Sequence, residues 1–272
     1  MSSTMSSDAV LVTVEGPVAT LTLNRPKSLN SLDEDVAVAL LGALERVSQD
    51  ESVRCLVLTG AGAHFMAGGD VKFFAAEVAR ESDREARRQT FERFVGELTP
   101  IVYAMRSMPK PIVASVRGAV AGFGLSLMLG CDLVVAGDDA FFTLAYCHIG
   151  TSPDGASSYA LPRVVGMKRA MEIALLGDRF DAKKALDWGL VNQVVPTAEL
   201  EAATRALSTR LASGPTVAYG RTKALLHAAH ANTLEAQLRL EARSFAACAT
   251  TDDFAEGVTS FTEKRKPVFL GR

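Results

Sequence analysis

The amino-acid sequence predicts an α/β protein, on three observations. A short apolar run leading into a glycine-rich turn occurs twice, as RCLVLTG (Arg54 to Gly60) before AGAHFMAGGD and as PIVASVRG before GAVAGFGLSLMLGCD. Another apolar run, LVVAG, follows directly, so strand, loop, helix and strand succeed one another. Helical crossovers between successive strands place those strands largely parallel, with helices packed outside the sheet. From Ala170 onward the pattern is mainly helical.

The elements follow in order. Residues 9 to 23 (AVLVTVEGPVATLTL) alternate on either side of a Gly-Pro turn and predict a β-hairpin. Asn30, Ser31 or Asp33 is placed to cap a helix over Asp35 to Val47, whose apolar residues recur at three and four. The strand Arg54 to Gly60 comes next. Glu77 to Thr99 carries many Glu and Arg residues, with Phe91, Phe94, Val95 and Leu98 spaced for one face, and reads as a solvated helix over the core. The second strand, PIVASVRG, leads into GAVAGFGLSLMLGCD, read as turn and helix, and then LVVAG as strand. RAMEIALLGD ends at a C-cap candidate, Gly177, and Asp181 is an N-cap candidate for DAKKALDWGLVNQVV. Ala- and Leu-rich helices run from about Ala198 to Leu240, without a low-complexity linker or fixed-period repeat.

Composition bounds the function. With 272 residues, 48 % of them hydrophobic, the chain can bury a sizeable core, and only MSSTMSSD at the start reads as disordered. Twenty-nine basic residues against 31 acidic ones leave a net charge of −2, so no strong field favours nucleic acid or an anionic membrane. The 14-residue uncharged run Gly118 to Cys131 is too short to span a bilayer. Cys55, Cys131, Cys147 and Cys248 are far apart and fit reduced, cytoplasmic thiols, and no signal peptide is visible. No His, Cys or carboxylate cluster has metal spacing, so no metal is expected.

Two turns between an apolar strand and a helix are placed for chemistry: Phe65 to Asp70 and Gly118 to Gly124. Each would leave backbone N–H groups free at a helix start, and two such groups converging on one point form an oxyanion hole. Taken singly, each is also what a purely structural turn requires. Neither fits G-x-G-x-x-G, G-x-x-x-x-G-K or G-x-S-x-G.

The order NRPKSLNSL, HFMAGGDVK, PKPIVASVRGAVAGFGLSLMLGCDLVVA, SPDGASSYALPRVVG and FTEKRKPVF resembles the enoyl-CoA hydratase/isomerase, or crotonase, superfamily over nearly the whole chain after the first eight residues. With residues 1–8 read as a flexible N-terminus, the resemblance implies a spiral of ββα units over 9–199 and a C-terminal helical region, 200–272, that forms a homotrimer or a dimer of trimers. It implies an acyl-CoA thioester as substrate, with coenzyme A part of the substrate and no separate cofactor. It further implies that the peptide N–H groups of Gly69 and Phe123 hold the thioester oxygen as it becomes an enolate. Ala67, Gly68, Asp70, Gly122 and Tyr146 are then substrate- or CoA-contacting positions. Lys27, Lys264 and Arg265 resemble basic residues that can meet the CoA phosphates, and each also fits a solvated charge.

Hydratases of the superfamily split water with two glutamates; alignment on their pattern puts Ser126 and Tyr146 there. A serine and a tyrosine of ordinary acidity are poor replacements near neutral pH. The remaining carboxylate is Asp154 in SPDGASSY, which resembles the Δ3,Δ2-enoyl-CoA isomerases, where a glutamate after Ser-Pro is the single base. An isomerase returns the proton to the same substrate, so one carboxylate and an oxyanion hole suffice. Aspartate reaches roughly 1.5 Å less than glutamate, one C–C bond, and phenylacetate-pathway isomerases resemble the chain through an aspartate here. An Asp-Gly turn is the structural alternative for Asp154. The 4-chlorobenzoyl-CoA dehalogenases share SYxLxRxVGMxRAME and a nucleophilic aspartate, but their histidine base falls at about Thr99, and none of His64, His148, His227 and His230 lies there. His148 stands near Asp154 in sequence and is also readable as a packed histidine beside Cys147. A non-catalytic CoA-binding protein of the same fold is the alternative from another class.

Overall fold

Alternation builds the second strand of the first hairpin, whereas the first strand is exposed beyond Val10 and does not follow the alternation expected of it. The computed structural model describes residues 9–272, so the flexible segment expected at 1–8 lies outside the described residues. Strand β1 (Val10–Glu15) pairs antiparallel with β2 (Val18–Leu23) across the Gly16 turn, and β2 buries Ala19, Leu21 and Leu23 on one face. Helix α1 (Glu34–Gln49) is capped by Asp33, whose side chain accepts from the Val36 N–H, and it buries Val36, Leu40, Ala43, Leu44 and Val47, the stripe its spacing predicts. Strand β3 (Cys55–Gly60) follows.

The solvated helix expected over 77–99 is instead three elements: α2 (Val71–Arg80), α3 (Arg84–Gly96) and α4, which begins at Thr99 and ends at Ser107. The Asp83 carboxylate accepts from the Glu85 and Ala86 N–H groups and starts α3 afresh. Phe94 is buried while Val95 is exposed, and Phe73, Phe74, Phe91 and Phe94 form an aromatic cluster between α2 and α3. The aromatic residues therefore meet across two helices and not along the face of one.

Strand β4 (Ile112–Val116) is followed by a short strand where a turn is expected: β5 (Ala119–Ala121), leading into α5 (Phe123–Leu129). Then come β6 (Leu133–Gly137), β7 (Phe141–Thr143), a 3-10 turn over Tyr146–Ile149, and α6 (Ser157–Leu176), kinked at Gly166. Short β8 (Phe180–Asp181) precedes α7 (Ala182–Asp187), capped by Asp181, and Gly177 closes α6 in the left-handed region, as expected of both. Within the mainly helical pattern expected here, residues 193–195 are a strand, β9 (Gln193–Val195), because they add to the exposed edge of β6. Helices α8 (Leu200–Ala212), α9 (Thr216–Ala229), α10 (Leu234–Cys248) and α11 (Asp252–Thr262) complete the chain.

The large sheet has the order β1-β2-β3-β4-β6-β9, parallel from β2 onward, and the small one the order β5-β7-β8. Met66 bridges Val120 in parallel and so extends the small sheet. Three turns of one pattern result: β3, Met66, α2; β4, β5, α5; β6, β7, α6. This is the α/β spiral of ββα units. In the large sheet, Leu56, Leu58, Ile112, Ala114, Val134 and Ala136 face the main core, while Val57, Val113 and Val135 face Leu200 and Ala212 of α8. Helix α8 therefore seals the sheet's second face, although it opens the helical segment 200–272. Each large side chain buried this way contributes about 1.5–3 kcal/mol. Among the described residues no helix is long and apolar enough to cross a membrane.

Candidate active site

The spiral brings the two glycine turns together because each follows a strand of a neighbouring unit. Leu32 N–H donates to Gly68 O (2.8 Å) and Asp70 N–H to Leu32 O (2.8 Å), so the Gly69 N–H between them is left out of the pairing. Gly122 N–H donates to Thr143 O (3.0 Å), and Phe123, first residue of α5, has no preceding helical carbonyl to reach. Neither the Gly69 nor the Phe123 N–H donates to a protein acceptor among the described residues. The turns are in contact: a Cβ on Gly68 would lie 3.5 Å from Gly122 Cα and 3.6 Å from Phe123 N. Gly68 itself has φ +99°, a conformation L side chains rarely adopt.

Surrounding side chains fix this geometry. Arg25 forms ion pairs with Asp33 (2.7 Å) and Asp70 (3.4 Å) and donates to Ser31 O (2.8 Å), while Asp70 accepts from Lys72 N–H (3.1 Å) and caps α2. His64 Nδ1 accepts from Ala119 N–H (3.0 Å), which ties the first turn to the start of β5. Neither Arg25 nor His64 stands out in the sequence. The Arg in NRPK is the available signal; for His64 there is none, because its partner is a backbone group 55 residues away.

Asp154 packs against α5, the helix that begins at Phe123. Gly155 sits so close to α5 that a Cβ on it would approach Phe123 Cε2 and Ser126 Cβ to 2.8 Å. The Asp154 carbonyl accepts from Ser126 Oγ (3.1 Å), Ser157 Oγ (2.9 Å) and Ser157 N–H (3.1 Å). Its carboxylate Oδ1 accepts from the Tyr146 hydroxyl, and Ser126 Oγ lies 3.4 Å from that hydroxyl. Burial pushes the Asp154 carboxyl above the usual carboxylate range, opposed by the Tyr146 hydrogen bond. Burial and the Asp154 charge push the Tyr146 phenol well up in turn, so it stays protonated.

The structure thus gathers Ala67, Gly68, Gly69, Asp70, Gly122, Phe123, Tyr146 and Asp154 on neighbouring turns. Lys27 is exposed on a 3-10 turn beside Leu29, whose carbonyl accepts from Ala67 N–H (3.0 Å). Lys264 and Arg265 lie after α11, with Arg265 paired to Glu256 (2.6 Å) and Glu263 (2.6 Å). His148 is turned away, its Nε2 3.0 Å from Gly177 O. Beside Phe123 and Gly155 opens a mostly apolar pocket lined by Ile101, Met105, Leu127 and Ala160. Two N–H donors on adjoining turns, with a raised carboxyl on the segment packed against α5 and an apolar pocket beside it, suit chemistry in which a proton leaves carbon and charge collects on a carbonyl oxygen.

Known proteins carry the same sequence pattern and shape. A 1,2-epoxyphenylacetyl-CoA isomerase of Escherichia coli (strain K12) is 38% identical over 97% of this chain and 98% of its own length. A 4-chlorobenzoyl coenzyme A dehalogenase-2 of Arthrobacter sp. is 33% identical over 91% of this chain and 88% of its own. The crystal structure of an enoyl-CoA hydratase from Polaromonas sp. JS666 superposes with a TM-score of 0.88 at 33% identity, covering 96% of this chain and 99% of that one. The pattern of the enoyl-CoA hydratase/isomerase family matches residues 13–272. The chain belongs to that family, within the crotonase superfamily of acyl-CoA enzymes.

Proposed function

We propose that the protein is an acyl-CoA isomerase that shifts a double bond of an enoyl-CoA with Asp154 as its single base. The observation that carries this reading is the surroundings of Asp154: its main chain is bonded to Ser126 of α5, the helix that begins with the Phe123 donor, and its carboxylate accepts from Tyr146 rather than sitting beside a second carboxylate. The thioester oxygen accepts from the Gly69 and Phe123 N–H groups. Asp154 takes a proton from C2 of a 3-enoyl thioester, and the electron pair moves into the carbonyl as a dienolate. Asp154 then delivers a proton at C4, which leaves the double bond between C2 and C3. No water is consumed, and no acid–base pair is needed to activate one. The E. coli relative, named for the isomerisation of an epoxidised phenylacetyl thioester, supports an isomerase and puts arylacetyl thioesters among the substrates to try. A homotrimer or dimer of trimers in the cytoplasm is part of this proposal.

The test is Asp154→Asn, which keeps size and removes basicity. It should bind an acyl-CoA normally while isomerising 3-enoyl-CoA roughly 100-fold or more slowly. Deuterium should enter C2 or C4 of a bound enoyl-CoA in wild type and not in the variant. Release of halide from 4-chlorobenzoyl-CoA would favour the dehalogenase reading, and full isomerase activity in Asp154→Asn would remove Asp154 from the role.

A further inference from the structure

The two residues aligned with the hydratase glutamates both hold Asp154, from opposite ends. Ser126 grips its main chain through the carbonyl (3.1 Å), a bond shared with Ser157. Tyr146 grips its side chain through Oδ1. Tyr146 is itself fixed: it is 9 % exposed, its N–H donates to Leu144 O (2.8 Å), and its carbonyl accepts from Thr151 N–H (3.2 Å). The second carboxylate oxygen, Oδ2, accepts no hydrogen bond among the described residues.

We propose that Tyr146 is a positioning residue for the base: its hydroxyl locks one oxygen of Asp154, fixes the plane of the carboxylate and leaves Oδ2 as the single oxygen that takes up and returns the substrate proton. The inference rests on the isomerase reading of Asp154 and gives Tyr146 a part in the chemistry other than contact with substrate. A free aspartate rotates about its last side-chain bond and offers either oxygen at a range of positions. A donor on Oδ1 removes that freedom, and proton transfer depends steeply on placement. The donor also survives across the working pH range, because the phenol is held protonated.

The groups around the carboxylate are few. Tyr146 from the 3-10 turn donates to it, and Ser126 from α5 lies 3.4 Å from the Tyr146 hydroxyl. On the far side of the adjoining pocket, Arg106 of α4 donates to Tyr159 Oη of α6 (3.4 Å) and to the His227 carbonyl of α9 (3.1 Å). Among the described residues no cation forms an ion pair with Asp154, so its titration reports chiefly burial and the Tyr146 bond.

The experiment reads that titration directly. Carbon-13 in the aspartate carboxyls is followed by NMR in wild type and in Tyr146→Phe, with Asp154→Asn assigning the signal, and kcat for 3-enoyl-CoA isomerisation is measured across pH. Loss of the donor should raise the Asp154 midpoint by about one pH unit, a tenfold change in the ionised fraction below it. The acid limb of kcat should rise with it, with KM little changed. Incorporating 3-fluorotyrosine at position 146, a stronger donor of similar shape, should move both down. An unmoved midpoint in both variants overturns the proposal, even if activity falls. If the midpoint moves and the acid limb does not follow, Asp154 is not the base; the isomerase reading fails, and the positioning role fails with it.

Discussion

Replacing Gly68 by alanine should disable the oxyanion turns more than it unfolds the protein. At Gly68, φ is +99°, and a methyl carbon would lie 3.2 Å from Ala121 O, 3.5 Å from Gly122 Cα and 3.6 Å from Phe123 N. Two costs add. Holding an alanine in that region strains the backbone by roughly 1–3 kcal/mol, and for a chain of this size each kcal/mol lowers Tm by about 2–4 °C. The methyl also presses on the Ala121 carbonyl, one peptide before the one that carries the Phe123 donor, which it meets only in ordinary contact, so the shift of Ala121 must be passed along the turn. Displacing one preorganised donor costs about 3 kcal/mol of transition-state stabilisation, or roughly 100- to 1000-fold in kcat. Gly16→Ala is the control: φ there is +57°, nothing lies within 4 Å of the added carbon, and the turn joins β1 to β2. It should lose about 1 kcal/mol of stability and keep its activity. Turnover is followed by the absorbance of the conjugated thioester formed from a 3-enoyl-CoA, and stability by thermal unfolding. A folded Gly68→Ala that turns over like the wild type, or loses no more activity than Gly16→Ala, would refute the argument that these turns bind the oxyanion.

Crotonyl-CoA should be hydrated very slowly, since Ser126 and Tyr146 offer no carboxylate pair for water; a turnover number in the ordinary range of roughly 1 to 1000 per second, read from loss of the conjugated absorbance, would contradict this. Asp154 should also cost the fold stability as pH rises. Its folded pKa is raised, so the folded state binds more protons than the unfolded state between about pH 4 and the raised value. The penalty is absent below that window and complete above it. Asp154→Asn should therefore gain on the wild type in urea unfolding between about pH 4 and pH 8, by about 1.4 kcal/mol for each pH unit that separates the folded midpoint from the unfolded one. A constant difference across that range would be evidence against a buried carboxylate that resists ionisation.

Local rules make much of the fold legible. The spacing of apolar residues marks α1 and the parallel strands, and Asp33, Asp181 and Gly177 announce helix ends because a cap is settled within three or four residues of chain. The strands at 119–121 and 193–195 are not legible, because three residues carry no period; they are strands only because β7 and β6 supply partners. The division of residues 71–96 into two helices is marked by Asp83, a cap signal hidden in a run of charges.

For the site, the sequence determined which groups are available: two glycine turns, one acid in SPDG, and no second carboxylate at the aligned positions. Tertiary structure decided what those groups touch. Tyr146 and Asp154 are eight residues apart, yet their bond requires the segment between them, which passes through the left-handed region at Gly150, to turn back on itself. Arg25 meets Asp70 across 45 residues because the hairpin and the first ββα turn bring them together. Arg265, which could equally be a CoA-phosphate cation or a solvated charge, is paired with Glu256 and Glu263. Residue types and short spacings are properties of the chain itself, whereas hydrogen-bond partners and the burial that shifts Asp154 exist only once distant segments pack and exclude water.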